Sequence, residues 1–507
     1  MFQDQDGIKE LSAAIAELHN GSRPNTVLPS DGCLAQARKS LIQTLPEAGL
    51  GVQKAIRHLM EEVASGFNAS SRSSNYYGFV TGGSTEAATL ADNLVTAYDQ
   101  NVQVHLPKET IATEVEDRAL SLLCELLKLD PAQWQHRTFT TGATASNAVG
   151  LACGREYVIA EAGATRNSSN VSVGQVGLFE AMYQAGLDKI QILTTVPHSS
   201  LSKAASLVGL GRTSVKTIGM ESSPHKFDMS LLKKNLQAPG TASIIAISCG
   251  EVNTGLFATS GIEEMQQLRK LCDTYGAWIH VDGAFGILGR ILDAADYTEI
   301  IRGCEGMELA DSITGDGHKL LNVPYDCGFF VSRHRDLAQH VFQNPNAAYL
   351  NAAPASNAIL SPLNIGIENS RRLRALPVYA TLIAYGSAGY REMLERQISL
   401  ARGIANFVLS SPDYELLPQL SKPAEEVLAT IYIIILFRAK DEALNKELVQ
   451  RINATSKVYI SGTAWDGKPA CRFAVSNWKT NAAKDLSLIK NVLQSVAQEW
   501  EASKNKS

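Results

Sequence analysis

The chain has 507 residues, of which 45% are hydrophobic and 19% charged, with a formal net charge of −5. That length exceeds what one hydrophobic core organises, so two or three domains are expected. The mildly acidic balance gives no electrostatic reason to expect nucleic acid or an acidic membrane as a partner.

Residues 1–110 read as an N-terminal arm of helices and loops, with helical spacing in LAQARKSLIQTL (34–45) and VQKAIRHLMEEVASGF (52–67). The loop ASSRSSNYYGFVTGG (69–83) follows with its aromatic cluster. From 111 to 385 strands and helices alternate, the pattern of an α/β protein whose mostly parallel sheet is covered by helices on both faces. Strands are expected at 191–195, 242–248, 277–281, 312–314 and 328–332, and a helix over 262–276 that ends on glycine. Residues 386–507 read as a small C-terminal α+β domain. It has a helix around YREMLERQISLARGIANFV, an apolar strand in LATIYIIILF (428–437), a strand at ACRFAVS (470–476) and a closing helix from about 482.

Eight cysteines (33, 124, 153, 249, 272, 304, 327 and 471) lie scattered without CxxC spacing. Reduced thiols are expected rather than disulfides, and no metal site. MFQDQDGIKE lacks a basic region followed by an apolar one, and the apolar run at 428–437 is too short to span a bilayer. The cytoplasm is the expected compartment.

Four segments carry chemistry when taken together. In TTGATASNAVGLACGREY (140–157), a glycine and small hydroxylated residues open a helix whose free N–H groups suit a phosphate; a plain structural helix entry looks the same. His198, in VPHSS just after a strand, has packing or capping as its alternative. Asp282 ends the run AWIHVD, where a carboxylate needs a cation against desolvation or serves in a salt bridge or cap. Gly283 and Ala284 beside it let a flat ring lie close to the backbone. Asp316-Gly317-His318-Lys319 follows the next strand, with Lys319 37 positions after Asp282. One amine and one carboxylate at the ends of buried strands are what pyridoxal 5′-phosphate requires, the lysine forming the imine and the acid keeping the pyridine nitrogen protonated. Two look-alikes fall away. GTAWDGKP (462–469) has P-loop spacing but proline in place of the metal-binding hydroxyl, and VGLGRTS (208–214) has too few glycines for a dinucleotide fingerprint.

VPHSS, HVDGAFG and DGHKLLNVPYDCG, with NYYGFVTGG and DNLVTAYDQN before them and SRRLRALPVYATLIAYG and CRFAVSNWKTNAAKD after, resemble the group II pyridoxal-phosphate-dependent amino acid decarboxylases. These include the aromatic amino acid, tyrosine and glutamate decarboxylases. The resemblance implies a type I aminotransferase-like fold and a homodimer with its active sites at the subunit interface. It also implies a carboxy-lyase acting on an L-amino acid, the small-molecule partner. By position, Lys319 would be the imine-forming lysine and Asp282 the partner of the pyridine nitrogen. His198 would stack on one ring face and Ala284 on the other. Ala143, Thr144 and His318 would hold the phosphate, with Asp316. Tyr76, Tyr77 and Phe79 are expected either to line a substrate pocket for an aromatic or apolar side chain, or to serve as dimer-core aromatics. Arg371, Arg372 and Arg374 are expected in surface salt bridges on a helix.

One departure qualifies the resemblance. The family's loop tyrosine, which protonates the reacting carbon, would fall near Pro362 in ASNAILSPLNIGIENS, and no tyrosine lies between Tyr349 and Tyr379. Another group must then protonate, or the reaction ends differently, as an oxidative aldehyde synthesis or a Cα–Cβ cleavage or transfer. Gly283 and Gly315, where family members carry bulkier residues, suggest a reshaped pocket.

Overall fold

The computed structural model describes residues 9, 13, 26–166, 171–344 and 359–505. Fourteen strands follow in chain order: β1 (Tyr76–Tyr77), β2 (His136–Thr140), β3 (Lys189–Thr194), β4 (Val215–Thr217), β5 (Gly219–Met220), β6 (Ser223–Phe227), β7 (Thr241–Ser248), β8 (Trp278–Asp282), β9 (Ser312–Asp316), β10 (Gly328–Ser332), β11 (Tyr414–Leu417), β12 (Ile434–Ala439), β13 (Tyr459–Trp465) and β14 (Lys468–Ala474). Seven form the large sheet in the order β2-β10-β9-β8-β7-β3-β4, in which only the pairings of β10 are antiparallel.

This sheet is apolar on both faces, as a covered parallel sheet must be. On β7, Ile245 and Ile247 join the core beneath the helices Ala112–Leu126 and Ile262–Tyr275. Ile244 and Ala246 point into a second core beneath the helices Ala143–Ala164 and Ser199–Leu207. The side-chain period of two therefore assigns alternate residues to opposite layers.

All five strands expected in the large sheet are present, with ends shifted by at most two residues. The short strand β2 and the β4–β6 region carry charged and polar residues that mask their period. At the C-terminal end, the strand expected over 428–437 starts later, at Ile434, because the helix Ala424–Thr430 takes its first residues. The P-loop look-alike is the β13–β14 hairpin. Asp466 (φ 49°) and Gly467 (φ 71°) form its two-residue turn, and Trp465 pairs with Lys468. A turn with positive φ at both central residues matches the strand twist, which explains the Asp-Gly.

The second sheet has the order β1-β13-β14-β12-β11, so Tyr76 and Tyr77 from the N-terminal region add an edge strand to a C-terminal sheet. A long helix, Ala375–Ser410, joins the two regions and is broken at Gly386 (φ 58°, ψ −174°), where glycine tolerates the positive φ. Among the described residues no helix is long and apolar enough to cross a membrane. All eight cysteines are free.

Arg372 makes the expected surface salt bridge, though ahead of the helix, whereas Arg371 departs from that role. Arg371 is buried before the long helix begins and makes a two-pronged ion pair with buried Glu116, one prong at 2.8 Å. Arg372 reaches Asp92 at 2.6 Å, and Arg374 reaches Asp326 at 3.2 Å. The Arg371–Glu116 pair ties the segment before the long helix to the helix Ala112–Leu126. Arg371→Met strands the Glu116 carboxylate in the interior and is expected to lower the unfolding free energy by about 3–5 kcal/mol, measurable by urea denaturation.

Candidate active site

The C-terminal ends of the parallel strands converge, as they do in open α/β sheets where ligands bind beyond the carboxyl edge. Ser248 and Asp282 are register partners on β7 and β8, and Asp282 in turn faces Thr314 on β9. The loops leaving β2, β3, β7, β8 and β9 enclose a cavity of about 300 Å³. Its walls bring together Ala143, Thr144, His198, Asp282, Ala284, Asp316, His318 and Lys319, all eight cofactor-site residues expected from the sequence.

Lys319 is anchored within its own turn. Its Nζ lies 2.9 Å from Asp316 Oδ2 and 5.7 Å from the centre of the Phe285 ring, which also lines the cavity. A Cβ on Gly82 would come within 1.8 Å of the Lys319 carbonyl, so the N-terminal TGG segment must be bare there to pack on the lysine's backbone. Asp316 is buried. Its other oxygen accepts the Ala143 N–H at 2.5 Å and lies 3.5 Å from His318 Nε2. As an acceptor it cannot hold a phosphate directly; it orients the helix entry and His318 around one. His318 Nδ1 accepts the Cys327 N–H at 3.3 Å. Burial holds the imidazole below its usual range, against the pull of Asp316.

Asp282 sits at the end of a continuous chain of hydrogen bonds. The indole Nε1 of Trp278 donates to Ser312 Oγ at 3.0 Å, and Ser312 is 2.8 Å from His280 Nδ1. His280 Nε2 is 2.8 Å from Asn147 Oδ1, which only accepts, so Nε2 carries the proton and the Ser312 hydroxyl donates to Nδ1. Asn147 Nδ2 then donates to Asp282 Oδ2 at 3.0 Å and to Ser200 Oγ at 3.2 Å. Ser200 closes the loop to His198, its Oγ 2.7 Å and its N–H 3.2 Å from Nδ1. Desolvation lowers the affinity of His198 for a proton, with Asp282 opposing the shift and Lys319 adding to it. A Cβ on Gly150 would meet the His280 ring at 2.4 Å, so glycine lets the helix Ala143–Ala164 close over this chain.

His280 and His136 are wholly buried, and burial brings both down to about 4. Their ordinary value is about 6.5, so between those limits the unfolded chain binds protons that the folded chain refuses. Stability is therefore expected to be fully present above about pH 6.5 and to fall as the pH drops towards 4, by up to about 3 kcal/mol per histidine. Urea denaturation across that range checks the slope.

The aromatic segment departs from expectation. None of Tyr76, Tyr77 and Phe79 lines the cavity. Tyr77 is a core residue of the second sheet, edge-on to Phe473 at 5.4 Å with its hydroxyl on Asn75. Tyr76 stacks on Tyr459 at 4.6 Å, and burial pushes its phenol up to about 12. Phe79 is exposed, with a left-handed backbone (φ 60°) pinned by Ser461 Oγ on its N–H and Arg472 on its carbonyl. Strand pairing of β1 with β13 fixes these directions, and the sequence alone does not reveal that partner. Gly283 and Gly315 do not reshape the cavity either: a Cβ on Gly315 would meet the Phe329 ring at 2.3 Å, and one on Gly283 would meet Ile287 and the Thr314 carbonyl. Pro362 is buried in a short turn, while Tyr349 and residues 355–358 lie outside the described residues.

Sequence reasoning missed Asn147, Ser200, Ser248, Val252, Phe285 and Arg472. Arg472 on β14 is buried, its charge opposes protonation of His198, and burial brings it to about 10, offset in part by Glu251. An arginine in the middle of the apolar run ACRFAV was the available signal.

The cavity fits pyridoxal phosphate on the chemistry of its donors. An amine and two imidazoles line it, backbone N–H groups at the start of a 22-residue helix can take a phosphate, and a hydrogen-bonded carboxylate, Asp282, stands at the end of β8. The fold and this set of groups define a fold-type I pyridoxal-phosphate protein. The conserved domain of the pyridoxal-dependent decarboxylases matches residues 36–424, and the chain belongs to that family. Over 326 residues it is 28% identical to an L-2,4-diaminobutyrate decarboxylase of Acinetobacter baumannii, covering 63% of this chain but 58% of that protein, less than two thirds of its length. It is 25% identical to a phenylacetaldehyde synthase of Arabidopsis thaliana, over 72% of this chain and 70% of the relative. In three dimensions it superposes on Oryza sativa TDC crystallised with PLP and tryptamine with a TM-score of 0.80, covering 99% of both chains at 20% identity.

Proposed function

We propose that the protein is a pyridoxal-phosphate-dependent decarboxylase of an L-amino acid with an aromatic or apolar side chain. The observation that carries this reading is the convergence of Lys319, His198 and Asp282 on one cavity, the last held by the Asn147–His280 chain. When bound, the cofactor supplies an electron sink that makes a bond at the substrate's Cα labile. Lys319 would bind its aldehyde carbon and Asp282 would keep its ring nitrogen protonated. His198 and Ala284 would flank the ring, with Thr144, Ala143 and His318 around the phosphate. For decarboxylation the walls would have to hold the substrate with the bond to its carboxylate perpendicular to the ring, since only a bond in that orientation overlaps the π system.

A second reading has its own support. By the resemblance the loop tyrosine would fall near Pro362, where this chain has none, and one relative is a phenylacetaldehyde synthase. On that reading the amino acid, dioxygen and water give an aldehyde, CO₂, ammonia and hydrogen peroxide in the same cavity. Incubating the holoenzyme with a panel of L-amino acids and reading products by mass decides between them. CO₂ with the amine supports the first. Aldehyde with hydrogen peroxide supports the second, and a product that keeps its carboxylate overturns both.

The reading extends to organisation: an N-terminal arm (1–110), a large cofactor domain (111–385) and a small domain (386–507), with the break at Gly386 in its favour. It extends also to a cytoplasmic homodimer. Leu41, Ile42, Leu45, Leu50, Leu59 and Phe67 of the N-terminal segment are exposed apolar side chains that a partner subunit would cover. Leu45→Asp with Phe67→Asp is expected to give monomers by light scattering; an unchanged dimer would remove the arm from the interface.

A further inference from the structure

A second cavity, of about 320 Å³, lies apart from the first. It opens between the β5–β6 hairpin, the stretch from Leu256 to Ser260, the helix Thr298–Cys304 and the C-terminal residues Leu420, Lys422 and Thr430. Among the described residues three cations border it, Lys226, Arg302 and Lys422, with Glu299 the one carboxylate in its wall.

These cations are poorly matched by protein acceptors. Lys226 is partly buried, yet its Nζ has a single partner, the Thr259 carbonyl at 2.9 Å, and no carboxylate within ion-pair distance among the described residues. Arg302 reaches Glu299 only at 3.7 Å, a weak contact, and the Lys422 side chain makes no ion pair among the described residues. Glu264, the other nearby acid, is engaged with the Ser260 N–H at 2.8 Å. Burial and the charges of Arg302 and Lys422 all work against the Lys226 ammonium, which Glu264 and Glu299 offset only in part. His225 in the same wall is brought down to about 4 by burial and Lys226, so it is neutral and adds no charge near pH 7. The cavity wall thus holds three positive charges against one negative. The hydroxyls of Ser223 and Ser260 stand at the same wall as donors, and Leu256, Phe257 and Leu420 form an apolar side.

We infer that this cavity is a second small-molecule site, for a compact dianion of the phosphate type. A phosphate offers enough acceptor oxygens to engage Lys226, Arg302 and Lys422 together, and it would neutralise the excess charge that the protein leaves. The apolar side accommodates a small organic group, so a phosphate monoester shares the chemistry of the free ion. Occupancy would tie the C-terminal segment to the loop that follows β7. The same loop supplies Gly250 and Val252 to the first cavity, and its Phe257 packs on Tyr432, which packs on Phe285.

Calorimetry of the cofactor-saturated holoenzyme in phosphate-free, low-chloride buffer tests this. The cofactor's own phosphate then fills the first cavity, and its absorbance, monitored in parallel, must stay constant so that the heat does not arise from displacement. Inorganic phosphate or glycerol 3-phosphate is expected to bind saturably at one additional site per chain. Tighter binding of the ester identifies an organic monoester as the ligand, and tighter binding of the free ion identifies phosphate itself. Lys226→Met is expected to weaken binding about tenfold or more, and the exposed Lys422→Ser, which leaves the interior untouched, to weaken it several-fold. No saturable heat at millimolar concentrations, or affinities unchanged in the Lys422→Ser variant, overturns the assignment. Neither measurement depends on turnover, so failure here leaves the decarboxylase reading as it stands.

Discussion

Lys319→Ala is expected to abolish the visible absorbance of bound cofactor and to reduce turnover by roughly 10⁴-fold or more, because among the described residues no other amine lines the cavity. The substitution also removes the cation 2.9 Å from Asp316, so a loss of activity alone would not separate chemistry from structure. Two further measurements do. The variant should unfold cooperatively, since Asp316 keeps the Ala143 N–H as a partner and His318 stays close. A small primary amine added at high concentration should restore part of the turnover, because it replaces the missing nitrogen and nothing else. Full activity in Lys319→Ala would refute the role outright, and a folded variant deaf to added amines would make the lysine a structural counter-ion of Asp316.

What could be read in advance follows from how local the determining physics is. Strands β7, β8, β9 and β10 were legible because each is a short apolar run bounded by turn residues, and burial on both faces leaves such a run no other use. The residues lining the cavity were legible for a related reason. Ala143, His198, Asp282 and Lys319 each sit at or just past a strand's carboxyl end, so naming the strands nearly named the cavity. The aromatic segment was not legible, because the direction of Tyr76 and Tyr77 is set by pairing with residues 459 and 460, almost 400 positions away. Arg371 was misjudged for the same cause: charged neighbours in sequence suggest a solvated face, and only the fold brings Glu116 against it. Asn147 and His280 were in view in the quoted motifs, but a hydrogen-bond chain has no signature in spacing, only in three dimensions.

That chain underlies the second large effect. Asp282→Asn is expected to lower turnover by about 10³-fold, since the amide is nearly isosteric but carries no charge to stabilise a protonated ring nitrogen. The protein loses little packing by it, so the deficit should lie in kcat more than in stability. A spectroscopic sign separates the electrostatic role from a structural one. An anion beside the ring raises the nitrogen's proton affinity, so the pH titration of the bound cofactor's absorbance should move to lower pH in Asp282→Asn. Asn147→Leu acts one step back: it leaves Asp282 Oδ2 without its 3.0 Å donor and the buried His280 Nε2–H without an acceptor, a cost of about 1–3 kcal/mol. Its effect on turnover should be smaller than that of Asp282→Asn, with a titration shift in the same direction. In the double variant the activity losses should be far from additive, because Asn147 acts on the reaction through the carboxylate that the first change has already removed. Additive losses, with no movement of the titration in either single variant, would mean that Asp282 is merely a structural acceptor for Asn147 and that the charge opposite Lys319 comes from elsewhere.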